Sequence, residues 1–125
     1  MTDHLRPVEV SRLLVSLLED GDLDAVMNLY EDDSVFADFD GVAEGVDSIR
    51  AAHERFMASG LTLSLNESLV FEADDIALVQ WAWTVTGLDG SMTDGVSAEV
   101  LRRQADGNWK FLIDNPDGAA LVGRI

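Results

Sequence analysis

Three short acidic turns, Asp74-Asp75, Asp89-Gly90 and Asp106-Gly107, punctuate the second half of this chain. Between them hydrophobic residues alternate with a period of two. Asp-Gly between alternating runs is a strong hairpin signal. The turns predict four antiparallel strands, near 61–73, 76–88, 91–105 and 108–115, joined as a meander. If each turn is a two-residue loop, the last hairpin sets Leu101 against Leu112 and Glu99 against Asp114. Two carboxylates directly opposed on one face repel each other. A sheet kept only for structure has little use for such a pair, so it marks a candidate site.

The first half has a helical period. Pro7 suits the first turn of a helix. Val10, Leu13, Leu14, Leu17 and Leu18 then form one apolar stripe that ends at Gly21. Asp22 caps a short second helix carrying Leu23, Val26, Met27 and Tyr30. Ser34 to Asp38 reads as one short strand, and Asp40-Gly41 and Gly45 mark a loop. A third helix runs to about Ser59 with Ile49, Ala52, His53 and Phe56 on its stripe, and Gly60 stops it. Helices first and a meander second predict a single α+β domain over residues 1–125.

The same registers divide the sheet into two faces. One carries Val79, Trp81, Trp83, Val85, Trp109 and Phe111. The other begins with Leu61, Leu63 and Leu65 and turns polar through Gln80, Glu99, Leu101, Leu112 and Asp114. Three amphipathic helices cover only one face. Placed over the leucines, they make the polar end a pocket floor and leave the Trp face exposed. An exposed aromatic patch of that size implies association. The expectation is a homodimer through the outer sheet face, with Trp81, Trp83, Trp109 and Phe111 in the interface. The other readings are a monomer whose helices cover the Trp face, and a ligand-stacking box made by the three Trp residues.

Charge and composition narrow the partners. Asp and Glu number 24 against 8 Lys plus Arg, a formal charge of −16. Nucleic acid and anionic membranes are poor partners for such a surface. With no cysteine, disulfides and thiolate chemistry are excluded. No apolar run approaches membrane-spanning length, and the N-terminal residues lack the apolar core of a signal peptide. A cytoplasmic location is the expectation. No metal-ligand spacing motif and no glycine-rich phosphate loop occurs, so neither metal nor cofactor is expected.

The order of elements carries a resemblance. A helix, then GDLDAVMNLYEDDSV followed by Phe36-Ala37-Asp38, then Gly45-Val46-Asp47-Ser48-Ile49-Arg50 before a helix, then a meander closing on DGNWKFLIDNP resembles the NTF2-like superfamily over residues 8 to 117. The SnoaL-like and ketosteroid-isomerase-like branch is the most similar. The resemblance implies a cystatin-like cone, a curved sheet wrapped around helices with a pocket between them, and usually a dimer. It also implies roles. Asp38 falls where the steroid isomerases hold their general base, and Glu99 where a protonated acid helps form the oxyanion hole. The Tyr that completes that hole in the first helix has no counterpart here; the matching position is near Leu14. The closing Asp114-Asn115-Pro116 is similar to SnoaL-like proteins whose last strand points an acid into the cone.

The candidate catalytic residues are therefore Asp38, Glu99, Asp114 and His53. In a half-buried pocket, desolvation and like charge both raise a carboxyl pKa, so Glu99 and Asp114 are expected to share one proton. The alternative is a solvated rim pair bridged to Arg103 or Lys110. Asp38 reads as a base in an apolar setting of Phe36, Phe56 and Tyr30, or as a loop or capping residue. His53 reads as an acid-paired pocket residue or as a satisfied core histidine. Leu14, Gln80, Leu101 and Leu112 complete the expected pocket. The function these residues predict is binding of a small apolar ligand bearing a carbonyl, with cofactor-free isomerisation, cyclisation or hydration as the chemistry. A non-catalytic dimerising or partner-binding module is the competing class.

Overall fold

A computed structural model describes residues 4–38 and 41–118, apart from the side chain of Asp38. Helix α1 spans Pro7–Asp20. Glu9 accepts a hydrogen bond from the Arg6 backbone N–H at 2.9 Å, and Gly21 ends the helix at φ 74°. That left-handed cap is the conformation glycine adopts at least cost. Helix α2, Leu23–Met27, is capped by Asp22, whose carboxylate accepts from the Ala25 N–H. Helix α3 spans Val46–Ala58 and buries Ile49, Ala52 and His53. The helices lie where the apolar periodicity places them, except that α2 stops at Met27 and Tyr30, expected on it, begins the first strand.

The sheet is larger than a four-stranded meander plus one strand. Among the described residues it has seven strands: β1 (Tyr30–Asp38), β2 (Gly41–Glu44), β3 (Thr62–Ala73), β4 (Ile76–Thr86), β5 (Met92–Val96), β6 (Ala98–Arg103) and β7 (Trp109–Asn115). The order is β2-β1-β7-β6-β4-β3, with β5 also on β4. The expected loop at Gly41 is half of a hairpin, β1 beginning at Tyr30 runs parallel to β7, and the expected strand 91–105 divides at Ser97. The architecture is the expected α+β cone, built on a mixed sheet.

One residue of turn length overturns the predicted faces. The Asp89-Gly90 turn is a three-residue loop: the Gly87 N–H donates to the Ser91 carbonyl, the Gly90 N–H donates to the Gly87 carbonyl, and Gly90 takes φ 84°. This is the three-residue hairpin with glycine in the left-handed position. Shifting a register by one residue exchanges the faces of the strand. Trp83 therefore pairs with Gly95 and Val79 with Glu99. The Trp residues and Glu99 share one face, and the helices cover it. Trp81, Trp83, Trp109 and Phe111 are 1%, 6%, 7% and 0% exposed, so they form core and not a dimer interface. Gln80 pairs with Leu69 on the opposite face, away from the acids.

Bulges set the rest. In β3 the register shifts between Leu65 and Glu67, so Leu63 and Leu65 turn inward opposite Val85 and Trp83, while Leu69 and Phe71 turn outward. The Asp106-Gly107 turn is also a three-residue loop, closed by Gln104 N–H to the Asn108 carbonyl, with Gly107 at φ 90°. It pairs Leu101 with Phe111, not with Leu112. Leu112 is then the extra residue between the two registers, and beyond it Glu99 does lie opposite Asp114. Two one-residue departures cancel at the acid pair.

Gly95 has a packing role. A Cβ there would overlap the Trp83 indole, which lies against the bare backbone of β5. The Trp83 ring N–H donates to the Pro116 carbonyl and ties the chain after β7 to the sheet.

Candidate active site

The concave face of the sheet and the helices enclose a cavity of about 140 Å³. From α1 come Ser11, Leu14, Val15 and Leu18; from α3, Ala52, His53 and Phe56. Phe36 of β1 closes one side. The sheet supplies Leu63, Leu65, Trp83 and Val85, then Ser97 between β5 and β6, Glu99, Asp114 and, beyond β7, Pro116. The lining is apolar except for a few groups at its inner end. A small number of polar groups in an apolar cleft is the usual form of a ligand site.

Asp114 is held by a group whose role the sequence does not reveal. The Tyr30 hydroxyl donates to Asp114 Oδ2 at 2.6 Å and lies 2.9 Å from His53 Nε2. A phenol has one hydrogen. With it directed at the ionised carboxylate, His53 must present Nε2–H to the phenolic oxygen. Tyr30, Phe36 and His53 also pack as tilted rings, with centroids 5.5 Å apart for Tyr30–His53 and 5.2 Å for Phe36–His53. The parallel pairing of β1 with β7 places Phe36 beside Asp114, and Tyr30 beside Phe111.

The two acids have different surroundings. Burial first, then the charge of Asp114, pushes the Glu99 carboxyl up to about 9, with the Ser97 hydroxyl pulling the other way. Burial raises Asp114 to about 6, held down by the Tyr30 hydrogen bond. Both shifts run upward, Glu99 the further, which favours a pair holding one proton near neutral pH. Tyr30 is pushed well above its ordinary value by burial and by Asp114, so it remains a neutral donor. Glu99 Oε2 and Ser11 Oγ are buried without a hydrogen-bond partner. Such groups are costly unless something completes them.

Of the residues the sequence singles out, Glu99, Asp114, His53, Leu14, Phe36 and Phe56 line this cavity. Leu101 is buried in the core beneath it, and neither Leu101, Leu112 nor Gln80 lines it. Arg103 pairs with Asp75 at 2.8 Å, so it is not a bridge to the acids. Asp38 ends β1 opposite Gly41; its side chain lies outside the described residues. The sequence treats Tyr30 as an apolar residue of the second helix and of the pocket wall, but it begins β1 and stands behind the lining; Ser11 and Ser97 the sequence reading passes over. The chain's one Tyr, just before an acidic run, is the signal that could have drawn attention. Among the described residues no group of three or more His, Asp or Glu is placed to hold a metal ion. Among them, too, no helix is long and apolar enough to cross a membrane.

Comparison with known proteins agrees with this architecture. The SnoaL-like domain family matches residues 10–111. A candidate ketosteroid isomerase from Shewanella frigidimarina superposes with a TM-score of 0.76 at 21% identity, over 85% of this chain and 89% of that one. An NTF2-like protein with a cystatin-like fold from Novosphingobium aromaticivorans gives 0.70 at 25% identity, over 93% and 83%. A candidate calcium/calmodulin-dependent protein kinase II association domain from Xanthomonas campestris gives 0.66 at 23%, over 91% and 92%. No curated protein matches the sequence.

Proposed function

This chain belongs to the SnoaL-like domain family, and we propose that it binds a small apolar ligand bearing a carbonyl and moves a proton on it. The observation that carries this reading is the acid pair in an apolar cavity: Glu99 and Asp114 lie buried opposite each other, and Asp114 is held by the Tyr30 hydroxyl, with burial raising both carboxyls and Glu99 the further. A carboxylate in such a setting is a competent base, and a neutral carboxylic acid is a competent donor to a developing oxyanion. Asp114 takes a proton from the carbon next to the carbonyl. The C–H electron pair forms the enolate double bond, and the enolate oxygen accepts a hydrogen bond from Glu99. Asp114 then returns the proton to the same or a neighbouring carbon. Isomerisation and cyclisation begin with this step. It draws on no group outside the chain.

His53 and Tyr30 are positioning residues in this scheme. They fix Asp114 and keep it charged. Asp38 stays a candidate base by its place at the end of β1. The competing class, a module without catalysis, is represented among fold relatives by the association domain named above. The cavity and its acids favour the first class.

The test is exchange of the α-protons of a bound ketone with D2O, followed by NMR. The wild type is expected to accelerate exchange, and Asp114→Asn to slow it by roughly 10²–10⁴-fold, the usual range for a general base. Glu99→Ala should weaken both binding and exchange. Exchange no faster with the wild type than in buffer would assign the chain to the non-catalytic class.

The outer sheet face supports a homodimer through residues other than the Trp set. Leu69, Phe71, Leu78, Val96 and Ile113 lie on it and are 36–61% exposed. A contiguous apolar patch of this kind usually marks an interaction surface. Sedimentation should give twice the chain mass, and Phe71→Glu with Ile113→Lys should give the monomer with its fold intact. A wild type that sediments as a monomer at micromolar concentration would remove this part of the reading.

A further inference from the structure

The acid-pair cavity does not end at its own lining. A second cavity of about 260 Å³ shares Val15, Leu18, Phe56 and Leu63 with it. Three elements run from one chamber into the next in the same sense. Along α1 the lining passes from Ser11 to Glu19; along α3 it passes from His53 to Met57; along β3 it passes from Leu65 back to Thr62, with Leu61 just before the strand. The chambers therefore lie end to end. Ser11 to Glu19 is eight residues of helix, roughly 12 Å at the rise of an α-helix.

The inner end holds two unsatisfied groups from opposite walls. Ser11 is 3% exposed and its hydroxyl has no partner. A helical Ser either points to solvent or bonds back to the carbonyl one turn earlier; this one does neither. Glu99 is 6% exposed, and its Oε2 is likewise without a partner. An apolar residue at position 11 would carry no such cost. The hydroxyl has a use if a ligand oxygen reaches it.

We propose that the ligand is elongated, with an acceptor oxygen at its inner end gripped by both the Ser11 hydroxyl and the Glu99 carboxyl, and with its apolar body passing Val15, Leu18, Phe56 and Leu63 into the second chamber. This rests on the ligand reading above and deepens it. Ser11 is the second hydrogen-bond donor, supplied by α1, and the outer chamber selects ligands by length.

The experiment uses straight-chain methyl ketones from 2-hexanone to 2-dodecanone, with binding measured by calorimetry on the full chain. Affinity should rise by about threefold to fourfold for each methylene, the value of a buried CH2, until the outer chamber is filled. Ser11→Ala should weaken every ketone by a similar factor, about 3–10-fold for one hydrogen bond. It should leave 2-methyl-1-dodecene, which has a methylene in place of the oxygen of 2-dodecanone, unchanged. Leu61→Trp, at an exposed position of the outer chamber, should remove the gain for long ketones and spare 2-hexanone. Equal binding of the ketones to wild type and Ser11→Ala overturns the inference, as does 2-dodecanone binding no more tightly than 2-hexanone. If Glu99→Ala weakens the ketones while Ser11→Ala does not, only this inference fails. If Glu99→Ala also leaves them unchanged, the acid-pair reading fails with it.

Discussion

Glu99→Gln should make the protein more stable at pH 8, and should flatten its stability between pH 6 and 9. In the wild type the folded Glu99 carboxyl is pushed up to about 9, against an ordinary value of 4.5. Between those values the folded chain holds a proton that the unfolded chain has released. Stability falls with pH wherever the folded state binds more protons, by about 1.4 kcal/mol per pH unit for one proton. The contribution of Glu99 is therefore full below its unfolded value and is lost progressively as pH rises towards 9. Asp114, raised to about 6, adds a similar loss confined to the range between about 4 and 6. A Gln at position 99 has no proton to lose, so the slope above pH 6 should largely vanish.

The large negative charge does not imitate this effect. Exposed carboxylates are already ionised at pH 6, so the self-repulsion of the −16 chain changes little from there to pH 9. Urea midpoints of wild type and Glu99→Gln across that range check the prediction. The surface change Glu19→Gln serves as control and should leave the slope as it is. Parallel wild-type and Glu99→Gln curves would mean that Glu99 ionises at an ordinary pH.

The second large effect is expected from Tyr30→Phe. The ring stays and one oxygen goes. With it go the hydrogen bond to Asp114 at 2.6 Å and the contact with His53 at 2.9 Å. A buried polar group stripped of its partner costs about 1–3 kcal/mol. The cost should depend on pH in a definite direction. The Tyr30 hydrogen bond holds the Asp114 carboxyl down, so it stabilises the fold most when Asp114 is ionised, above about pH 6. Tyr30→Phe should be more destabilising at pH 8 than at pH 5, and should raise Asp114 further. A neutral Asp114 is no base, so α-proton exchange should fall while ketone binding persists. Stability curves at the two pH values check the first point and the exchange assay checks the second. A loss equal at both pH values would reduce Tyr30 to packing.

These expectations depend on features that the sequence reveals unequally. The helices were legible because their signals are local: Pro7, Gly21, Asp22 and a stripe of apolar residues. The positions of the hairpin turns were legible for the same reason. The two-residue length of Asp74-Asp75 was legible too, with Ala73 opposite Ile76, but the lengths of the two Asp-Gly turns were not. Asp89-Gly90 sits equally well in a two-residue and a three-residue loop, and that single residue decides whether three Trp side chains face the helices or the solvent. The opposition of Glu99 and Asp114 emerged from the sequence because the extra residue in the last turn is offset by the bulge at Leu112. Tyr30 could not be assigned to Asp114 at all. The two are 84 positions apart, and a parallel pairing of first and last strands leaves no turn to announce it. Ser11 was missed for another reason. Its spacing, three, four and seven residues before Leu14, Val15 and Leu18, puts it on the cavity face of α1, but a stripe read from apolar residues alone leaves a serine out.

The proposed chemistry needs one neutral and one charged carboxyl side by side in the cavity. Carbon-13 NMR of the side-chain carboxyls, titrated from pH 4 to 10 with Glu99→Gln and Asp114→Asn used for assignment, measures this directly. The expected result is one buried carboxyl titrating near 9 and its neighbour near 6. Two carboxyls that both titrate below about 5, as exposed acids do, would contradict it.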